Sequence, residues 1–335
     1  MSNHSAPHRR GSCPLRIRLL FTALAVGAML AAHPGGVSAT PTAFDLQAHR
    51  GGLGLTAENT LPAFARSLEI GVTTLELDIQ ITRDGREIIG HDAKIDGSKC
   101  TDTEPVSPGD SQYPYVGKLI KDLSFEQVRT VNCGSKMPTL EEVFTLASDR
   151  GADTVQFSIE LKTDPRDGTT APREQFIQRA VQEVQRAGVR NRTIIQSFDW
   201  ATLKLVRQHD SGIRLYALTD PTKVYPFSPW LGGLDLIWES GSLVNGAKSI
   251  GATALSPMHA LPPDGSVQLP AVSQRLVDTA HENGILVVPW VVNQPGTMHE
   301  LMDKGVDGII TDYPDRLREV MRERGLSLPP AYPQH

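Results

Sequence analysis

The stretch QAHRGGLGLTAENTLPAFARSLEIGVTTLELDIQITRDGREIIGHD spans residues 47–92 of a 335-residue chain. His49 and His91 each end a short apolar run, and Glu76 and Asp78 lie between them. Because residues two apart on a strand share a face, both carboxylates should project from one side of a predicted strand. Two carboxylates this close repel each other unless a proton or a cation lies between them. The stretch therefore predicts a site for Mg²⁺ or Ca²⁺, with two imidazoles beside it for acid–base chemistry on an ester.

Each of these residue types also has a structural explanation when it is taken alone. A Glu-x-Asp pair on a strand is often part of a solvated sheet face, and a lone histidine at a strand end is usually structural. The functional interpretation is favoured because both pairs occur together in a run typical of a buried parallel sheet.

Predicted strands and helices alternate along the rest of the chain. Besides the segment with Glu76 and Asp78, the predicted strands cover 44–49, 86–91, 154–161, 192–197, 213–218, 234–238, 253–256, 285–291 and 307–311. The predicted helices cover 58–70, 124–130, 140–150, 173–187, 199–209, 270–283, 296–304 and 314–324. Repeated βα units of this length predict a parallel sheet with helices outside it. More than eight strands are predicted, and we expect 86–91 (a hairpin arm) and 234–238 to lie outside a distorted (β/α)₈ barrel.

Composition places the chain among ordinary globular proteins. It is 39% hydrophobic and 21% charged, and it is long enough for one large α/β domain. Four of its 33 Lys and Arg residues, and none of its 38 Asp and Glu residues, lie in residues 1–39. The remaining 29 basic residues leave residues 40–335 with a net charge near −9. This acidic balance argues against general nucleic-acid binding.

Residues 1–39 have the pattern of a secretory signal peptide. A basic start precedes an apolar run that is too short for a comfortable membrane span, and a small-residue cleavage site follows. These parts are Arg9, Arg10, Arg16 and Arg18, then Leu19 to Ala32, then Val37-Ser38-Ala39. We expect a secreted, extracellular or periplasmic protein with no stable membrane anchor after cleavage. The alternative is an uncleaved anchor.

Residues 93–136 interrupt the βα rhythm with a long Pro-, Gly- and Ser-rich segment. A loop of this length in a compact domain is usually functional or stapled, and we expect an insertion that caps the active site. It contains Cys100 and Cys133, which in an exported protein indicate a disulfide. Closing a loop of this length would stabilise the fold by roughly 3–4 kcal/mol. Two separate buried thiols are the alternative.

The ordered motifs H-R-G, E-N-T-L-x-A-F, E-L-D and H-D in residues 47–92 resemble those of the glycerophosphodiester phosphodiesterase family. Further motifs of the same family follow in order: P-T-L-E-E-V at 138–143, I-E-L-K at 159–162, S-F-D at 197–199, W-x-V-N at 290–293 and G-V-D-G-I-I-T-D-x-P at 305–314. The resemblance covers the chain from about residue 45 to the 310s and implies that 40–335 is one catalytic domain built on a TIM barrel. The family often has a threonine-rich basic stretch after H-D, whereas this chain has A-K-I-D-G-S-K-C, which puts substrate specificity in doubt.

The resemblance implies that Glu76, Asp78 and Glu160 bind one divalent cation and that His49 and His91 form an acid–base pair. In TIM barrels, catalytic residues lie at the C-terminal ends of strands, where these residues are predicted to lie. The alternative for Glu160 is a plain ion pair with Lys162.

Four other residues are candidates for binding substrate. Arg50 and Lys162 could hold the phosphate. Arg50 can do so only if the chain turns after His49. Trp290, and with a weaker signal Phe198, could line the alcohol pocket. The alternative for Trp290 is a core residue.

The resulting hypothesis is hydrolysis of glycerophosphodiesters, a small-molecule substrate class, to glycerol 3-phosphate and an alcohol. One alternative is a related phosphodiesterase, of the phospholipase D type, acting on lysophospholipid, sphingomyelin or a teichoic-acid-type polymer. Another is a polyol-phosphate-binding protein without catalysis. Glu58 and Asn59 match the family motif, but we expect them only to begin a helix. The oligomeric state is not indicated by the sequence.

Overall fold

A computed structural model of the chain describes residues 43–166, 168–237, 240–261 and 269–334. The predicted signal peptide lies outside the described residues. Among the helices of the described part, none is both long enough and apolar enough to cross a membrane.

Eight parallel strands form a nearly closed barrel with helices around it. They are β1 (Asp45–Ala48), β2 (Thr74–Ile81), β4 (Gln156–Leu161), β5 (Thr193–Ser197), β6 (Arg214–Thr219), β7 (Ala254–Pro257), β10 (Leu286–Val287) and β11 (Gly308–Thr311). Their order in the sheet is β10-β7-β6-β5-β4-β2-β1-β11. Hydrogen bonds from Asp307 N to Val287 O (2.9 Å) and from Ile310 N to Pro289 O (3.0 Å) close the remaining gap. The predicted (β/α)₈ barrel is confirmed.

The helices alternate with these strands in chain order, except that α2 and α3 both lie between β2 and β4. They are α1 (Leu61–Ile70), α2 (Phe125–Arg129), α3 (Leu140–Asp149), α4 (Arg173–Arg186), α5 (Trp200–His209), α6 (Ser240–Ser249), α7 (Gln274–Glu282), α8 (Pro295–Asp303) and α9 (Pro314–Glu323). Side chains at N-caps define several starts, because the first backbone amides of a helix lack intrahelical partners. Thr139 and Ser124, for example, each form a capping box with the residue three positions on.

Side-chain alternation along β2 explains how a fully buried strand carries both acidic and apolar residues. Leu75, Leu77 and Ile79 belong to the main hydrophobic core, which includes residues of the surrounding helices. Glu76 and Asp78 alternate with them and therefore face the barrel interior. A separate apolar cluster contains one residue from each of four barrel strands, together with Val288. The four are Ile194, Tyr216, Ala254 and Ile310, and Trp290 packs against the cluster. The interior is thus packed, as in other barrels of this class.

Several sequence predictions were wrong in detail. Residues 234–237 form no strand, and 238 lies outside the described residues. No helix was predicted between 209 and 270, but helix α6 lies there, and its sequence SGSLVNGAKS has weak helix propensity. The strand predicted at 285–291 is shorter in the structure, where only Leu286–Val287 (β10) form a strand. A short hairpin of β8 (Ala260–Leu261) and β9 (Leu269–Pro270) was not predicted.

The hairpin arm lies outside the barrel as predicted, and the insertion contains the predicted disulfide. Strand β3 (Glu87–Ile89) is antiparallel to β2 and lies off the barrel path. The insertion 93–136 has its own small core around Tyr115 and Leu123, which explains how it folds without joining the barrel sheet. The disulfide between Cys100 and Cys133 is present.

Candidate active site

A sharp turn after β1 brings the backbone of Arg50 to the site. The strand ends at Ala48, and His49–Gly51 form a 3-10 turn in which Arg50 (φ 51°) and Gly51 (φ 77°) have left-handed backbone conformations. A Cβ at Gly51 would lie 2.9 Å from the Phe64 ring, so glycine is required both for the conformation and for the space. The turn that Arg50 needs is present, and its backbone N–H donates to Glu76 Oε2 at 2.7 Å.

Strand register brings the three predicted cation ligands together. Asp78 on β2 is directly opposite Glu160 on β4, and Glu76 lies two residues before Asp78 on the same face. One carboxylate oxygen from each residue lies within 4.8 Å of the others. All three residues are buried. Asp78 and Glu160 are 82 positions apart in the chain, so only the parallel pairing of β2 with β4 creates this cluster.

The two carboxylates on β2 have pKa values that are shifted in opposite directions. Burial raises the pKa of Glu76 well above its ordinary range, and the charges of Asp78 and Glu160 raise it further. Burial acts in the same direction on Asp78, but Lys162, Arg50 and His91 outweigh it and lower its pKa. The cluster therefore holds a proton on Glu76 far more readily than on Asp78 when no cation is bound.

The donor set fits a hard divalent cation. Asp78 Oδ1 is buried and accepts no hydrogen bond from any residue that the structure describes. Lys162 Nζ is 3.6 Å from this oxygen and 2.8 Å from Glu160 Oε1. Lys162 thus forms the ion pair that was the alternative role for Glu160, while Glu160 also belongs to the carboxylate cluster. A buried oxygen that accepts no hydrogen bond, among three carboxylates, is the arrangement expected where Mg²⁺ or Ca²⁺ binds.

His49 is oriented by a carboxylate from the other end of the chain. Its Nδ1 lies 2.6 Å from Asp312 Oδ1, just after β11. Asn293 donates to the second oxygen of Asp312 at 2.6 Å and accepts from its backbone N–H at 3.0 Å. We did not predict roles for Asp312 and Asn293, although both lie in the motifs quoted above. With Nδ1 engaged, Nε2 of His49 is the nitrogen left for proton transfer.

His91 is oriented by its own neighbour in sequence. Its Nδ1 lies 2.7 Å from Asp92 Oδ1. The other oxygen of Asp92 accepts from Lys99 Nζ at 2.7 Å, and Lys99 comes from the insertion. Each of the two histidines thus has a carboxylate on Nδ1, an arrangement that holds an imidazole in one orientation.

Glu58 and Asn59 do more than begin a helix, so that interpretation was wrong. Helix α1 begins at Leu61 with Thr60 as its N-cap. Glu58 Oε2 accepts from the Arg50 guanidinium at 2.7 Å, and Asn59 Nδ2 donates to Asp78 Oδ2 at 2.8 Å. The signal that could have revealed these roles is the polar pair placed before the N-cap, where helix formation does not need it.

One cavity is lined by most of the predicted site residues together with Gln196, which donates to Glu76 Oε1 at 2.8 Å. The predicted residues in its wall are His49, Arg50, Glu76, His91, Glu160, Lys162, Phe198 and Trp290. A wider groove continues from it, past Lys223, Trp230 and Met258. The rings of Phe198 and Trp290 meet edge to face at 5.3 Å and line both spaces. Trp290 is therefore partly a packing residue and partly a wall of the cavity.

A barrel with buried acidic residues, two oriented histidines and cationic side chains at the C-terminal ends of its strands defines a TIM-barrel hydrolase of the phosphodiesterase class. Comparison with known proteins gives the family. The model of the Glycerophosphoryl diester phosphodiesterase family matches residues 49–316. The chain belongs to this family of enzymes.

Individual relatives agree with this assignment. A glycerophosphodiester phosphodiesterase of Caldanaerobacter subterraneus is 26% identical over 83% of this chain and 98% of its own. A human lysophospholipase D is 27% identical over 82% and 84%. A crystal structure from Silicibacter pomeroyi, named for the same family, has a TM-score of 0.70 and 26% identity over 86% of this chain and 96% of its own.

We predict that the cation-free protein loses stability as pH rises above about 4.5, the ordinary glutamate value, because of Glu76. The folded protein keeps a proton on Glu76 that the unfolded chain releases, so the free energy of unfolding falls through this window. Glu76→Gln cannot titrate and should have a flatter pH dependence. Urea unfolding in chelator at several pH values measures both slopes.

The matched control for this comparison is Glu126→Gln, which removes an exposed glutamate in the insertion. It should keep the wild-type slope. Equal slopes in the Glu76→Gln protein and the wild type would mean that Glu76 is not the group responsible.

Proposed function

We propose that the protein hydrolyses glycerophosphodiesters to sn-glycerol 3-phosphate and an alcohol, with a divalent cation and two histidines at the site. The observation that carries this proposal is that His49, His91, Glu76, Glu160, Arg50 and Lys162 line one cavity. Phosphodiester cleavage needs charge neutralisation, proton removal and proton delivery, and these residue types can supply all three.

Glu76, Asp78 and Glu160 would hold the cation. When bound, it would polarise the phosphoryl group as a Lewis acid. Arg50 and Lys162 supply fixed positive charge at the phosphate, although each is also paired with a carboxylate in the cluster. Their ion pairs hold the two cationic groups in place before substrate arrives, which favours electrostatic stabilisation without reorganisation.

The two histidines carry the proton transfers. In each ring Nδ1 is engaged by Asp312 or Asp92, so Nε2 is available to the substrate. One imidazole removes a proton from the attacking oxygen, and the other delivers a proton to the leaving alkoxide. The carboxylate on each ring fixes its orientation and stabilises the imidazolium form that arises during transfer.

The first expected result is release of glycerol 3-phosphate from glycerophosphocholine by the mature protein. A chelator should abolish release, and addition of Ca²⁺ or Mg²⁺ should restore it and identify the working ion. The assay is enzymatic detection of glycerol 3-phosphate. A folded protein that is inactive with both ions would refute this substrate class.

We expect His49→Ala and His91→Ala each to lower kcat by about 10²- to 10⁴-fold, the usual contribution of acid–base catalysis. Cation binding, measured by calorimetry, should be kept because neither histidine is a proposed ligand. His299→Ala is the control, since His299 pairs with Glu323 outside the cavity. Activity unchanged in the two site variants would favour a binding protein without histidine catalysis.

A second candidate substrate is a lysophospholipid, and the wide groove favours it. Trp230, Met258 and Leu261 extend an apolar wall beyond Trp290, where an acyl chain could lie. One relative is named a lysophospholipase D. Assaying lysophosphatidylcholine beside glycerophosphocholine under the same conditions separates the two candidates by kcat/KM.

We further propose that the chain is exported and cleaved after Ala39, on the basis of the basic, apolar and small-residue pattern of residues 1–39. N-terminal sequencing of protein recovered outside the cytoplasmic membrane should begin at Thr40. Full-length protein retained in the membrane would contradict cleavage and favour an uncleaved anchor.

A further inference from the structure

Lys99 links the insertion to the histidine site through two carboxylates. Its Nζ lies 2.7 Å from Asp92 Oδ2 and 2.9 Å from Glu58 Oε1. The other oxygen of Asp92 contacts His91, and the other oxygen of Glu58 contacts Arg50. One ammonium group thus lies between a carboxylate that orients a histidine and a carboxylate that pairs with the phosphate-binding arginine.

Asp92 needs such a partner more than Asp312 does. Asp312 is anchored by Asn293, which is fixed to it by two hydrogen bonds. The side chain of Asp92 is 36% exposed, and its second oxygen forms an ion pair with Lys99. A half-exposed carboxylate held by one contact can rotate away from His91, whereas one held at both oxygens cannot do so without breaking an ion pair.

The position of Lys99 is itself held by covalent and backbone constraints. It precedes Cys100, which is bonded to Cys133. Thr101 and Asn132 exchange backbone hydrogen bonds of 2.8 and 3.0 Å beside the disulfide. Holding the backbone in this way lowers the entropy cost of fixing a long side chain at an exposed ion pair.

We propose that Lys99 is a positioning residue, which keeps Asp92 on His91 and so sets the orientation of the imidazole for proton transfer. The proposal rests on the proposed function of His91. It also assigns a role to the segment A-K-I-D-G-S-K-C, where this chain departs from the family pattern. An ordinary exposed ion pair contributes little to stability, so the effect of Lys99 should fall on catalysis.

Replacing Lys99 with methionine tests this role, since methionine keeps a flexible, unbranched side chain and removes the charge. We expect K99M to lower kcat about tenfold, by analogy with the loss of groups that orient metal-bound histidines. KM and the unfolding midpoint should change little, and K99R should recover most of the loss. The matched control is K121M, which removes an ion pair with Asp122 elsewhere in the insertion.

A double-mutant cycle with D92N separates positioning from a general structural effect. If Lys99 acts through Asp92, the K99M/D92N protein should be no slower than D92N alone. If the kcat reductions of the two single variants multiply in the double variant, the proposal is overturned. The proposal would also be overturned if K99M and K121M had the same kcat. It would be overturned as well if K99R lowered kcat as much as K99M does.

A crystal structure of the K99M protein tests the positioning without any assay. We expect the Asp92 side chain to leave His91 while the His49–Asp312 pair stays intact. An unchanged Asp92–His91 contact would overturn the proposal, even if the wild type fails to release glycerol 3-phosphate. A wild type that is inactive together with a displaced Asp92 would refute the substrate class and leave the positioning role standing.

Discussion

The burial of three carboxylates at one end of a parallel barrel is the constraint on which the rest of the site depends. Uncompensated, such a cluster would be strongly unfavourable, because burial penalises each charge and each charge repels the others. The neighbouring residues offset this electrostatic cost. Arg50 and Lys162 bring positive charge, while Asn59 and Gln196 donate hydrogen bonds to the carboxylates. The residual repulsion is what would make a divalent cation bind well.

Each of the two imidazoles is oriented by a carboxylate on Nδ1, and the two carboxylates come from different parts of the fold. For His49 the carboxylate comes from the opposite end of the chain, where β11 pairs with β1. For His91 it comes from the next residue, whose second oxygen is held by Lys99 of the insertion. Closure of the barrel therefore orients His49, and the disulfide-bonded insertion helps to orient His91. The insertion is thereby part of the site, although its core is separate from that of the barrel.

Much of the fold could be predicted because periodicity is a local property of the chain. Strand β4 and helices such as α4 and α5 lie close to their predicted bounds. Helix α6 was missed because its weak propensity is compensated by burial of Leu243, Val244 and Ala247 in the core. The strand at 234–238 was predicted from apolar residues, but the described part of it, 234–237, pairs with no strand, and sequence alone cannot reveal that absence.

For the site, the sequence by itself determined which chemical groups are present and that Glu76 and Asp78 share a face. Strand alternation acts over two residues and needs no tertiary information. Only the tertiary structure decided that Glu160 lies opposite Asp78, that Asp312 contacts His49, and that Lys99 reaches Asp92. These contacts depend on strand register, barrel closure and the path of a long insertion. Each of these is set by packing and hydrogen bonding between distant segments, and no local pattern in the chain encodes it.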